Sequence, residues 1–314
     1  MRGRWAFLAG LLVAVSTTTG CMEEKVDLQL EADGRGKVKV ERLMGQQMSS
    51  MLLMMAPDKD AAVGEQAAEA LAEWEGVSAW TDVETINQGG RVGFKATGWF
   101  EDAAKVKKKS ENNQTGFTIE RAGGNMTVKL AQGQNEGGAE GDQSDEMFTA
   151  DDQTFEMQRG MAKGMLAGML NELKIEMAVT LPGEVTEATG LKKDGRRAAF
   201  VVEGKTMSGA IDKMFDRVAE LRPKVKAGEM TVTEAKAQVQ NELGDIMGGG
   251  SKDMSATCAE PAADPAAKAA FDKALGEAKA AYEASPWKEK VETAKLGKGG
   301  EFGEDDGMGG GEGD

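Results

Sequence analysis

Apolar and polar residues alternate strictly over Val26, Leu28 and Leu30, and again over Val38 and Val40. Ala32-Asp33-Gly34-Arg35-Gly36 lies between the two runs, so the pattern predicts a β-hairpin with a glycine-permissive turn. The period then lengthens. Leu43 to Met55 reads as a helix with Met44, Met48, Met51 and Met55 on one stripe, and Pro57 separates it from a second helix starting near Ala61. In that helix Val63, Ala67, Ala70, Leu71 and Trp74 share the inner face.

Strand character returns at Val77 to Ile86 and at Arg91 to Phe100. Phe117 to Arg121 and Met126 to Leu130 form a second hairpin across Ala122-Gly-Gly-Asn125. Gln132 to Glu146 is polar, Gly-rich and acidic, which predicts a mobile loop. Phe155 to about Leu173 reads as a long helix running into a strand, Lys174 to Leu181. Pro182-Gly183 turns the chain, and Ala198, Phe200 and Val202 mark a returning strand.

From Ser208 the pattern is helical. Thr231-x-x-Glu234 forms a capping box for a helix to Leu243, and Asp264-Pro265 suits the start of an Ala-rich helix ending before Pro286. Glycine and acid fill the tail. The expected architecture is α+β: a curved antiparallel sheet with helices on one face, plus a helical C-terminal extension. It divides as a leader (1–20), an α+β domain (21–222) with its acidic loop at 132–146, a helical extension (223–295) and a disordered tail (296–314).

The leader has its own logic. Arg2 and Arg4 precede an eleven-residue apolar run, Trp5 to Val15, and small residues lead to Gly20-Cys21. That run is about half of what a membrane-crossing helix needs, so a cleaved signal is favoured over a retained span. Cys21 directly after Gly20 suits acylation of the thiol and cleavage before it. Thr18 stands where such sites usually carry Leu. An ordinary secretory signal with a chance cysteine is the alternative, and the coincidence of the whole pattern with Cys21 favours lipidation. The implied location is a bacterial cell envelope, membrane-anchored and extracytoplasmic.

Composition narrows the function. Removing Arg2 and Arg4 from 38 basic residues leaves 36 against 53 acidic, a net charge of 36 − 53 = −17. A surface of that sign does not displace counterions from nucleic acid and does not adsorb flat on anionic lipid. Lys105, Lys107, Lys108 and Lys109 form one short basic cluster, read as a solvated face. Histidine is absent, which removes the usual general base, the usual zinc ligand and every Ser-His or Cys-His pair. Cys258, in Ser255-Ala-Thr-Cys-Ala259, reads as a free thiol in a linker, with an intermolecular bridge as the alternative. No cofactor or metal site is implied, and the chain is expected not to be an enzyme.

Twenty methionines are unusual. Thioethers bind Cu(I), but with no His or Cys nearby and with helical spacing they read as packing. Gly160, Gly164 and Gly168 recur every fourth residue beside Met157, Met161, Met165 and Met169. Helix-interior glycine costs about 0.8–1 kcal/mol against alanine, so the repeat calls for a reason. One is close packing of this helix on the sheet. The other is a soft, Met-lined surface for acyl chains or a partner helix. Asp142, Asp145, Asp151 and Asp152 lack calcium-loop spacing and read as a solvated acidic loop.

Two stretches carry a resemblance. Val26-Asp-Leu-Gln-Leu-Glu-Ala-Asp-Gly-Arg-Gly-Lys-Val38 and Ile175-Glu-Met-Ala-Val-Thr-Leu-Pro-Gly-Glu-Val185, followed by Thr189-Gly190, are similar to the LppM-type domain of bacterial envelope lipoproteins. The likeness covers about residues 21–203. It implies an envelope role without catalysis, related to lipid. The leading expectation is a lipid-anchored envelope protein that binds a lipid or a protein partner, and an internal lipid site would require a sizeable apolar cavity beside the Met-rich helices. A structural or assembly module of the envelope is the alternative. A carboxylate-dependent hydrolase would need two buried acids in one cleft.

Overall fold

The first strand, β1 (Met22–Leu30), buries Glu24, Val26, Leu28 and Leu30 on one face, as its period of two requires. It pairs antiparallel with β2 (Gly36–Met44), Met22 opposite Met44 and Leu30 opposite Gly36. The computed structural model describes residues 22–56, 58–110, 113–134, 143–170, 172–246, 254–262 and 264–299. The expected leader with Cys21, the centre of the acidic loop and the tail beyond residue 299 lie outside them.

Two sheets carry the strands. The first has the order β11 (Lys192–Asp194), β12 (Arg197–Glu203), β9 (Lys174–Thr180), β1, β2, β5 (Arg91–Phe100) and β4 (Ala79–Gln88). The second has the order β10 (Val185–Thr189), β13 (Met254–Ala259), β8 (Asn125–Gln134), β7 (Asn113–Ala122), β6 (Lys107–Ser110) and β3 (Trp74–Glu75). The α+β class stands, with two sheets in place of one. Every pair is antiparallel except β1 with β9, which run parallel. Leu28, Val38 and Phe94 of the first sheet share a core with Phe117, Met126 and Val128 of the second, so the sheets face each other as a sandwich.

Helices close the sandwich and build a second core. α1 (Gln46–Met55) follows β2 directly, so the strand extends two residues into the segment read as helix. α2 (Lys59–Ala72) starts at Asp58, whose carboxylate accepts from the amides of Asp60 and Ala61, and it buries Ala67, Ala70 and Leu71 in the sandwich core. α3 (Gln143–Thr149), α4 (Asp152–Leu170), α5 (Gly204–Lys226) and α6 (Val232–Ile246) surround Phe148, Phe155, Phe215 and Val239. Buried Arg222 donates to the carbonyls of Met147 and Ala150, both at 2.7 Å, which satisfies the C-terminal end of α3.

The expected capping box opens α6: the Glu234 carboxylate accepts from the Thr231 amide at 2.8 Å, and the Glu234 amide donates to Thr231 Oγ1 at 3.2 Å. α7 (Pro265–Glu283) begins on the Asp264 side chain, and α8 (Pro286–Gly299) follows it. Phe271 and Leu275 of α7 cover Ala79 and Trp99 of β4 and β5. Within the segment read as a helical extension, residues 254–259 form β13. Cys258 is therefore not in a linker: it is a free thiol, fully buried between β10 and β8.

Candidate functional site

Glu24 occupies the core-facing phase of β1, the last place a lone carboxylate would be stable. Three neighbours explain it. Arg42 is its direct cross-strand partner on β2 and reaches it at 3.2 Å. Lys108, delivered from the opposite sheet by the pairing of β6 with β3, makes an ion pair with the same oxygen. Glu73, one residue before β3, meets Arg42 at 3.5 Å. Two acids and two bases thus balance across one end of the sandwich. Burial pushes the Glu24 pKa up, but Lys108 and Arg42 outweigh it and hold the carboxyl at about 2. Arg42 is driven down by burial and, more strongly, up by Glu24 and Glu73. Its Nε is buried without a hydrogen-bond partner among the described residues.

Behind this network lies a cavity of about 80 Å³, walled by Val26, Trp74, Phe117 and Met177 with Glu24 and Lys108 at its edge. Small-molecule sites occupy about 300–1,000 Å³. This space holds a few waters and no acyl chain. A wide, shallow hollow at the junction of α7 and α8, lined by Ser285, Lys288 and Glu292, is open to solvent. Neither of these two spaces is the sizeable apolar cavity that an internal lipid would require. Both acids of the Glu24–Glu73 pair are engaged by Arg42. Among the described residues no three His, Cys, Asp or Glu side chains converge as metal ligands.

The methionine helix sits elsewhere. Met157 and Met161 lie on the outer side of α4, 65% and 71% exposed, which overturns packing as their role. A Cβ on Gly160 or Gly164 would meet nothing within 4 Å, so neither glycine serves a close approach to the sheet. α4 instead rests on α5, through the Phe155–Phe215 ring pair at 6.4 Å and the ion pairs Arg159–Asp216 and Lys163–Asp212. The side chains of Met165, Gly168 and Met169 lie outside the described residues. Lys108, read as part of a solvated cluster, is instead a partner of buried Glu24.

Sequence reasoning passed over two features. The ion network had a signal: Glu24 keeps the phase of Val26, Leu28 and Leu30, so a charge was being sent to the core. α1 had another. It contains no charged residue, and only Ser49 is buried in it. Ser49 Oγ accepts from the Val92 amide at 3.0 Å and donates to the Met44 carbonyl at 3.3 Å, holding the helix on the sheet margin. Met51, Met54 and Met55 are left 56%, 86% and 74% exposed.

The molecule is thus a two-sheet α+β domain with an ion-paired end and with Met157 and Met161 displayed outward. The chain belongs to the LppM family: the LppM domain model matches residues 25–208, more than half of it. The match runs from β1 to the first turn of α5 and includes both stretches that carry the resemblance; β13 and α6 to α8 lie beyond it. Among solved structures, the chain is similar to the NMR structure of the folded domain of LppM from Mycobacterium tuberculosis. Identity is 9%, covering 79% of this chain and 94% of that one, with a TM-score of 0.32. At that score no position is transferred between the two. No curated protein matches the chain. No helix among the described residues is long and apolar enough to cross a membrane.

Proposed function

We propose that this LppM-family protein is held to an envelope membrane by acyl chains on Cys21 and binds a lipid or protein partner at its surface, without catalysis. The observation that carries the reading is the exposure of Met157 and Met161 on α4; the cavity beside Glu24, at about 80 Å³, is too small for a lipid. Methionine is flexible and polarizable, so a Met-lined helix adapts to chemically varied apolar partners. Glu156, exposed next to Met157, keeps that face soluble between encounters.

Two measurements test this. The intact mass of the purified mature protein should exceed that of the chain from Cys21 by two or three acyl groups, and an unmodified mass sinks the anchor. A photo-reactive methionine analogue at Met157 or Met161, activated in intact cells, should yield one dominant adduct. A lipid adduct identifies a lipid partner and a single protein adduct a protein partner. No adduct at either position sinks the surface-binding reading.

A further inference from the structure

The register of the first hairpin places the anchor beside the uncharged helix. Met22 follows Cys21 directly and is paired across the strands with Met44, and α1 begins two residues after Met44. Paired residues on antiparallel strands stand about 4.5–5.5 Å apart. The point where the described chain meets the leader and the start of α1 therefore occupy one corner of the domain. The end of α4 joins them, because the Gln46 amide donates to the Glu172 carboxylate at 3.0 Å. The hairpin turn at Glu31 to Arg35 lies at the far end of β1, nine residues or about 30 Å away.

α1 is ten residues and about 15 Å long. Its exposed face is Gln47, Ser50, Met51, Met54 and Met55, with Met48, Leu52 and Leu53 half-buried at its borders. In water such a face is costly, and no described element covers it. Charges near its start are already engaged: Arg91 donates to the Met44 carbonyl at 3.1 Å and to Glu23 at 3.2 Å.

We propose that α1 is a membrane-interface helix, inserting Met51, Met54 and Met55 into the leaflet that holds the acyl chains of Cys21. The proposal rests on the anchored reading above and adds a second contact to it. Two or three acyl chains on Cys21 would hold the chain stably but leave its orientation free. A helix tethered at the same corner meets the bilayer at high effective concentration, and it fixes orientation: β1 then points away from the surface and carries the turn at Glu31 into solvent. Without charge, α1 needs no anionic lipid, and its insertion resists salt.

The test uses the full chain, produced with its leader, purified and reconstituted into phosphatidylethanolamine–phosphatidylglycerol vesicles. Nitroxide labels are placed at M54C and, as a control, at E31C. Cys258 is fully buried and stays unlabelled in the folded protein. At position 54 the label should lose access to a water-soluble nickel chelate while remaining open to oxygen, and high salt should not restore that access. The label at position 31 should stay open to the chelate. Equal chelate access at 54 and 31 overturns the proposal, as does its recovery at position 54 in high salt. Intact mass is recorded on the same samples. An acylated chain with position 54 in water refutes the helix and spares the anchor, whereas an unacylated chain with position 54 immersed refutes the anchor and spares the helix.

Discussion

Replacing Glu24 with glutamine tests whether the buried ion network holds the sandwich closed. The substitution keeps the shape and removes the charge that compensates Arg42 and Lys108. Glu24 is 7% exposed, so solvent screening barely discounts its interactions. A carboxyl lowered from 4.5 to about 2 contributes about 3 kcal/mol, at about 1.4 kcal/mol per pH unit. Losing one partner of a buried pair typically costs about 3–5 kcal/mol, which agrees. The assay is urea unfolding followed by tryptophan fluorescence. Trp74, Trp80 and Trp287 belong to the sandwich core or pack against it, and the helical core around Phe215 has no tryptophan, so the signal reports the sheets. At pH 7 the variant should unfold about 1 M earlier or more, given slopes of ~1–3 kcal/mol per molar. Because the folded pKa lies below the unfolded one, the contribution is whole above about pH 4.5 and is lost as pH falls toward 2. By pH 3 about 2 kcal/mol of it is gone, so the gap between wild type and E24Q should shrink. A gap under about 1 kcal/mol at pH 7, or one equal at pH 7 and pH 3, refutes the assignment.

Other substitutions separate open from crowded positions. G160A and G164A should each raise thermal stability by about 0.8–1 kcal/mol in helix α4, because the added methyl meets open space. G204A should destabilise by at least about 1–3 kcal/mol in the same melts, since its Cβ would overlap the Leu170 carbonyl oxygen. S49A leaves the buried Val92 amide without its acceptor, a cost of about 1–3 kcal/mol, and hydrogen exchange should quicken at Val92 and along α1. The Cys258 thiol should resist a thiol reagent in native buffer and react on unfolding, because it is fully buried in β13; rapid native labelling would place the strand outside the sheet.

What could be read from the chain followed the strength of local alternation. β5 spans Arg91–Phe100, the bounds its pattern predicts, and the hairpin of β7 and β8 turns at the predicted glycines, Gly123 and Gly124. β13 was missed because Ala256 and Cys258 are its only buried side chains, too small to stand out from the outward Ser255 and Thr257. Its partners, Val185 and Met126 opposite Cys258, are distant in sequence. The full second sheet was invisible for that reason: β13 joins the predicted hairpin at β8, more than a hundred residues away, and nothing local encodes such pairing. Methionine spacing misled in the other direction. A period near 3.6 marks one face of a helix but not whether that face meets protein or solvent, so the stripes on α1 and α4 were read as core.

Net charge bears on how the end proposed as anchored would meet a membrane. Cleavage before Cys21 would leave the chain at −17, which an anionic leaflet repels, so close approach would need an end that is locally neutral. That condition is met where β1 begins. Glu23 is pushed up by burial and held below its usual value by Lys25 and Arg91, and Glu24 is balanced by Arg42 and Lys108. α1, at the same corner, adds no charge. Of the exposed carboxylates, Glu172 lies at this corner with an oxygen engaged by the Gln46 amide, while Glu146 and Glu277 sit on α3 and α7. On the proposed docking the ion network would have a use beyond stability: keeping Glu23 and Glu24 paired beside Met22 limits the free charge that the methionine-rich corner would bring to the membrane. An E24Q chain that still folds would carry excess positive charge at that corner, and its vesicle binding should gain a dependence on phosphatidylglycerol that the wild type lacks. Equal dependence in both would show that the network closes the sandwich and has no part in the approach to lipid.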